Sequence, residues 1–515
     1  MMDSKALWKR YSTALKRRDT SWYSHFYECY RYTVPQREAL FEYTKGQKKN
    51  THLHDNTAMQ AVQIYANRVQ QTVVPPGQKW ITVVTGDRID KEAMVDYQGE
   101  QVKIAEALDR VADTVFSYIH RSNFDQRVNE ACVDLSISTG AMTCDYDPIN
   151  DDLIFDAIPL SNIVLASNGR GEVADVWRKS KIPLRGIQRI WEEARLPEKY
   201  AQMMESKPDE EVTIIEGVCE TDGEYTLYVM MEADKEVIYQ EEFGTSSPWI
   251  VFRSQVVSGE VYGRGPVMSV LPDIKTLNVM GEYSLKSAAL QVLGAWTATD
   301  DGIFNPYTFR IAPGIAIPVS SNSNENPTLR PLATGANVQF HEMEYERRRD
   351  NVNRALFAKP IGDITDPTKT ATEINIRRQI DLQEAGATFG RLAVELAGAT
   401  FRRAFEVLKA NGKIPDIVID GENIRLKYLN NMARAADYEE AQIAMQTLTM
   451  ALNSGVPPEQ VMLGLKTEEF PKYLAEKMGI DPELIRSEQE KAAIQQQQQQ
   501  AMQMQAAAQM AQEQA

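Results

Sequence analysis

From residue 371 to residue 410 the sequence keeps a helical period for about forty residues, roughly 60 Å of straight helix at 1.5 Å per residue. Leu382, Phe389, Leu392 and Leu396 line one side of it, and Val394, Phe401, Phe405 and Leu408 another. A helix that is apolar on more than one face cannot stand alone in water. It must be enclosed by its own chain or by copies of itself. Gly386, Gly390 and Gly398 are its expected bending or close-packing points. The segment that feeds it, "KPIGDITDPTKTATE", has the chemistry of a loop: Gly362, Asp363, Asp366 and Pro367 oppose regular structure, while Thr370 and Glu373 have capping-box spacing.

A second rod precedes this loop. Residues 272–293, ~33 Å long as a helix, carry a stripe through Ile274, Leu277, Gly281, Leu285, Ala288 and Val292, with Pro272 and Asp273 suited to its first turn. Gly281, Ser284, Ala288 and Ala289 are small enough to admit neighbouring helices closely. Residues 294–340, rich in Pro, Gly, Asn and Ser with runs such as "GIAIPV", read as a small β module, and helix returns at "EMEYERRRDNVNRALFA".

Upstream, residues 1–75 read as helical and aromatic, with Trp8, Tyr11, Trp22, Tyr23, Phe26, Tyr27 and Tyr30 expected to pack inward rather than to stack on bases. Asp55 is placed to cap a helix whose stripe is Ala58, Val62, Tyr65 and Val69, ended by Pro75, Pro76 and Gly77. One helical block over 91–137 follows. Residues 141–261 turn to short strand-like runs broken by a helical piece near 184–204. The C-terminal "QQQQQQAMQMQAAAQMAQEQA" is a low-complexity tail, expected to be solvated or a fraying helix. The fold class is therefore α+β, mainly helical, and 515 residues suffice for about three domain-sized units.

Charge is polarised. A net charge of −16 argues against a surface that coats nucleic acid everywhere. Residues 1–50 nevertheless hold eleven Lys and Arg against five Asp and Glu, and residues 209–242 hold twelve Asp and Glu against Lys235 alone, expected on exposed faces. Residues 343–413 hold thirteen basic and ten acidic side chains. Arg347, Arg348 and Arg349 point about 100° apart on a helix, so they cannot all face one partner. The four cysteines, Cys29, Cys132, Cys144 and Cys219, form no C-x-x-C pair and are expected as buried free thiols; no apolar run is long enough to span a bilayer, and the opening residues lack a signal-peptide core, so an intracellular protein is expected.

Motifs for chemistry are sparse. The chain has no G-x-x-x-x-G-K-[ST] phosphate loop, "YGRGP" (residues 262–266) lacks the third glycine of a dinucleotide fingerprint, and "SISTGAMT" is no nucleophile elbow. His52, His54 and Asp55 have the spacing of metal ligands on a strand, but Asp55 is better used as a cap. No catalytic, metal or cofactor site is expected. The residues leave open a scaffold or assembly protein without a channel, and a metal-dependent nuclease.

Four stretches occur in a telling order: "HDNTAMQAVQIYANRVQQTVVPPGQKWITV", "FDAIPLSNIVLAS", "VYGRGPVMSVLPDIKTLN" and "DPTKTATEINIRRQ". Through them nearly the whole chain resembles the portal proteins, or head-to-tail connectors, of T7-like short-tailed bacteriophages. The resemblance implies a twelve-subunit ring around a DNA channel, divided here into a wing (1–262), a stem helix (263–293), a clip (294–342), a second stem helix (343–358), a tunnel loop (359–370), a long wing helix with a return strand (371–434), and a crown with the tail (435–515). It implies packaging and ejection of the genome at one capsid vertex of the virion, after assembly in the host cytoplasm. Implied partners are other copies of the chain, double-stranded DNA, the terminase large subunit, tail adaptor and nozzle proteins, and capsid and scaffolding proteins, with no membrane. Candidate channel residues are Arg347, Arg348, Arg349, Arg354, Lys359 and Lys369; candidate tunnel-loop residues are Gly362, Asp363, Asp366, Pro367 and Thr370.

Overall fold

The structure, a computed structural model, describes residues 2–37, 52–85, 98–169, 171–244, 246–293, 296–298, 329–331, 338–358, 390–415, 424–429, 440–450, 470–471 and 473–474. The N-terminal helices are α1 (Ser4–Ser21) and α2 (Tyr23–Thr33). Most of their aromatic residues pack inward: Tyr11, Phe26 and Tyr30 are buried, and Trp22 stacks on Phe26 with ring centroids 5.8 Å apart, whereas Tyr23, expected to pack inward, is exposed. Helix α3 (Thr57–Val73) buries Ala58, Val62, Tyr65 and Val69, the stripe that a 3.6-residue period demands. The N-cap position falls on Asn56, which makes no side-chain cap bond, and Asp55, one residue earlier than a cap, accepts the first helical amide, that of Thr57, at 3.0 Å. Beyond Pro75 and Pro76, Gly77 turns the chain with φ of 68° toward β1 (Ile81–Thr85).

The block read as one helix over 91–137 is two, α4 (Gln98–Arg121) and α5 (Phe124–Ile137). Asn123 explains the break. Its side-chain amide donates to the Phe155 carbonyl at 2.9 Å and its side-chain oxygen accepts the Phe155 N–H at 2.8 Å, so it leaves the helical path to satisfy a strand edge.

The strands β2 (Thr139–Asp147), β3 (Asp152–Ala157), β4 (Ile163–Ser167) and β5 (Val173–Pro183) lead to two short helices, α6 (Leu184–Ile190) and α7 (Glu198–Ser206). Then come β6 (Glu211–Thr221), β7 (Glu224–Met231), β8 (Val237–Gly244) and β9 (Trp249–Arg253). Strands β4 to β8 make an antiparallel sheet in sequence order, and β3-β2-β9 a three-stranded one. Helix α1 covers one face of the larger sheet, with Leu7, Tyr11 and Ala14 against Trp177, Ile215 and Tyr228. The other face, through Leu165, Val176, Ile214 and Val229, joins the main core. The acidic side chains of 209–242 are mostly exposed; Glu216 is the exception, buried with Arg178 Nε and Nη2 at 3.0 and 2.7 Å. All four cysteines are free and buried.

The chain goes on through α8 (Pro266–Leu293), β10 (Trp296–Ala298), β11 (Leu329–Pro331), α9 (Val338–Ala355), a π-helical turn over Ala393–Gly398 that runs into α10 (Ala399–Ala410), and β12 (Ile424–Tyr428), with further helix over 440–450. Strand β12 returns to β1, with Tyr428 opposite Ile81, and β10 pairs with β11. Two helix limits differ from expectation. Helix α8 starts at Pro266, which takes the proline-tolerant first position, so Pro272 lies inside and the helix forgoes one backbone donor. Helix α9 starts at Val338, ahead of residue 343. The tunnel-loop candidates Gly362, Asp363, Asp366, Pro367 and Thr370, the basic candidates Lys359 and Lys369, the Glu373 cap, the "GIAIPV" run and the glutamine-rich tail lie outside the described residues.

Candidate nucleic-acid interface on the helix pair

Helix α8 is launched from a junction built of backbone. Gly263 and Gly265, the glycines of "YGRGP", lie against the "SISTG" segment: Gly265 donates to the Ile137 carbonyl at 2.8 Å, and Ser138 Oγ donates to the Gly263 carbonyl at 2.7 Å. A Cβ on Gly265 would sit 2.1 Å from the Ser136 carbonyl oxygen, so no other residue fits there without backbone movement. Both motifs set aside as chemistry are therefore parts of one structural joint. Arg253, buried beside it, donates to the Val261 and Gly171 carbonyls at 3.1 and 3.0 Å. Its Nη2 and its own backbone N–H each reach the Glu395 carboxylate at 2.9 Å. Glu395 belongs to the π-helical turn, where an additional residue is accommodated in the helix. The expected bending point Gly398 falls in the same turn.

Beyond the joint, α8 and α9 are clasped to each other and to residues 52–57. Arg348 Nη1 meets Asp273 at 2.6 Å across the pair, and Ser284 hydrogen-bonds His341. The Asn278 side chain donates to the His52 carbonyl at 3.0 Å and accepts the His54 N–H at 2.7 Å. Gly281, read as a helix-contact residue, instead admits the His54 backbone, whose oxygen would lie 3.0 Å from a Cβ. On α9, the Tyr345 hydroxyl donates to Asp55 at 2.6 Å; burial and that carboxylate raise the phenol to about 12. Lys275 reaches Glu28 on α2 at 2.6 Å. The sequence pointed to Asp55 at the start of α3, but nothing in it marked Asn278, Tyr345 or Asp273 as fasteners of the helix pair, because each acts on a segment far away in the chain.

These contacts sort the arginines. Arg348 is turned onto Asp273 of α8, and Arg349 Nε donates to Thr57 Oγ1 at 3.2 Å, so the one fastens α9 to α8 and the other to α3. Arg347 is turned outward, its side chain 74% exposed, and among the described residues it pairs with Glu344 alone, at 3.5 Å on the same helix. Arg354 is exposed as well. Seven residues separate the two, about two turns, so they share a face some 10 Å apart along the axis. Met343, 61% exposed, extends that face, and α8 exposes Tyr283 and Leu285 to the same degree. Lys286 and Glu282 pair at 2.6 Å on α8, which lowers the Glu282 carboxyl and raises the Lys286 amine. Among the described residues no group of three or more His, Cys, Asp and Glu could hold a metal ion, and His52 instead bonds the Arg31 carbonyl at 3.0 Å. No helix among them is long and apolar enough to cross a membrane.

The chain is 20% identical over 510 residues to a "Probable portal protein" of Bordetella phage BPP-1, covering 90% of this chain and 86% of that one. Among solved structures it is similar to a chain in the neck of an empty gene transfer agent particle, at 13% identity and a TM-score of 0.35 over 81% of this chain and 92% of that one. A chain in the virion of a native gene transfer agent particle matches at 12% identity and a TM-score of 0.35, covering 84% and 99% of the two chains. The model of the bacteriophage head to tail connecting protein family matches residues 4–485, nearly the whole length. The chain belongs to that family.

Proposed function

We propose that this connector is the portal at one capsid vertex of the virion, a twelve-subunit ring assembled in the host cytoplasm, through which the terminase packages double-stranded DNA and from which the genome leaves by a short tail. In this reading α8 and α9 form the stem around the channel, residues 294–342 the clip that meets the terminase large subunit and later the tail adaptor and nozzle proteins, residues 359–370 the tunnel loop, residues 371–434 the wing helix and return strand, and residues 435–515 the crown. Capsid and scaffolding proteins surround it. Its work is mechanical, without catalysis.

The observation that carries the channel assignment is the division of labour on α9, with Arg348 and Arg349 committed to packing and Arg347 and Arg354 left on one outward face. Repeated around a ring, each outward arginine becomes a ring of charge. Duplex DNA carries one charge per ~1.7 Å of axis, so dense basic walls would grip it, whereas sparse rings in an acidic body let it slide. Lys359 and Lys369 are the companion candidates at the two ends of the loop. Electron microscopy of the purified protein in negative stain tests the reading. Rings with an axial hole are the expected image; filaments or elongated dimers would replace the portal with a scaffold that lacks a channel.

A further inference from the structure

Helix α1 carries a second, separate cationic feature. Its inner face buries Leu7, Tyr11, Ala14 and Arg18 against the five-stranded sheet. Lys5, Lys9 and Lys16 fall within about 40° of one another on the opposite face, with Arg17 on its flank, and all four are exposed. Among the described residues none of the four forms an ion pair, whereas the neighbouring Arg10 and Arg18 are bound to Asp175 and Asp19 at 3.0 and 2.9 Å. The hydroxyls beside them are spent on the helix: Thr13 donates to the Lys9 carbonyl at 2.7 Å and Thr20 to the Lys16 carbonyl at 2.8 Å. That leaves the cations as the groups that reach outward.

The chemistry of this ridge selects its partner. A protein interface needs an apolar centre, and among the described residues α1 exposes no large apolar side chain. A polyanion needs only spaced cations, since displaced counterions supply the free energy. Lys5 to Lys16 spans roughly 16 Å of helix, a length over which a duplex presents about ten phosphate charges. The exposed Glu224 and Glu242 on β7 and β8, on the sheet face that α1 covers, would repel a duplex and confine it to the ridge. We propose that the outward face of α1 is a phosphate-contact surface for duplex DNA, distinct from the face of Arg347 and Arg354. It rests on the portal reading only in taking DNA as this protein's cargo.

Covalently closed circular DNA tests it, because a circle cannot thread a ring that is already closed. Pre-assembled protein would be titrated with the circle from 50 to 200 mM salt, as wild type, as K5A/K9A/K16A/R17A, and as R347A/R354A. Wild type and R347A/R354A should bind alike. The quadruple variant should keep the wild-type thermal unfolding curve yet lose about 3 to 4 from the slope of log affinity against log salt. An unchanged slope in the quadruple variant, or a wild type that ignores the circle, overturns the proposal. A wild type that ignores the circle, together with a quadruple variant that loses capsid association, makes the partner an acidic protein, which also overturns it. Should the chain form no ring, sizing reports that failure of the portal reading, and circle binding still decides α1.

Discussion

The foot of α8 and its outer length are one helix under two regimes. At the foot, Gly265 and Gly263 lie on the backbone of 136–140, Leu271, Ile274 and Leu277 are buried, and Arg253 ties the joint to Glu395. Eight residues past Lys275, Tyr283 is 61% exposed, and Leu285 and Met343 are equally open. The foot is finished within one chain, whereas the outer length is held by polar clasps and leaves apolar surface exposed, which in the proposed ring is covered by copies of itself. Substitutions should therefore act on folding at the foot and on assembly further out.

The largest effect is expected from Arg253→Ala. It strips the Glu395 carboxylate of its buried partner and frees two carbonyls, a loss of about 3–5 kcal/mol, read by denaturant unfolding. Gly265→Ala should cost about 3 kcal/mol, because the obstacle at 2.1 Å is a backbone oxygen. Gly281→Ala, whose Cβ meets a carbonyl at 3.0 Å, should cost about 1 kcal/mol. Equal losses at the two glycines would break the comparison. Arg348→Ala should lose about 1 kcal/mol, since the pair with Asp273 is only partly shielded from water. Tyr283→Ser with Leu285→Ser should change unfolding by under about 0.5 kcal/mol while abolishing rings in micrographs. Arg347→Glu with Arg354→Glu should leave both unfolding and ring formation intact and alter DNA passage alone, measured as packaged length; dissociated rings would assign that face to subunit contacts instead.

Much of this was legible because it is local. The stripe of α3 and the Asp55 bond at its start follow from a 3.6-residue period and a side chain two residues from the amide it accepts. The split at Asn123 was hidden because its cause is Phe155, thirty-two residues away on a strand. The start of α8 was misread because two prolines competed for the first position, and Gly265 on the Ile137 carbonyl favoured the earlier one. Glu216 looked like one more surface carboxylate until β5 brought Arg178 to it.

Periodicity by itself determined that this chain is mainly helical, that its long helices need neighbours, and that three consecutive arginines must diverge. Which arginine is left facing outward was decided by the tertiary structure. Asp273 and Thr57 lie seventy-five and 292 residues from the side chains they hold. A helical period fixes the angle between neighbours, but the helix's rotation about its own axis is set by what it packs against.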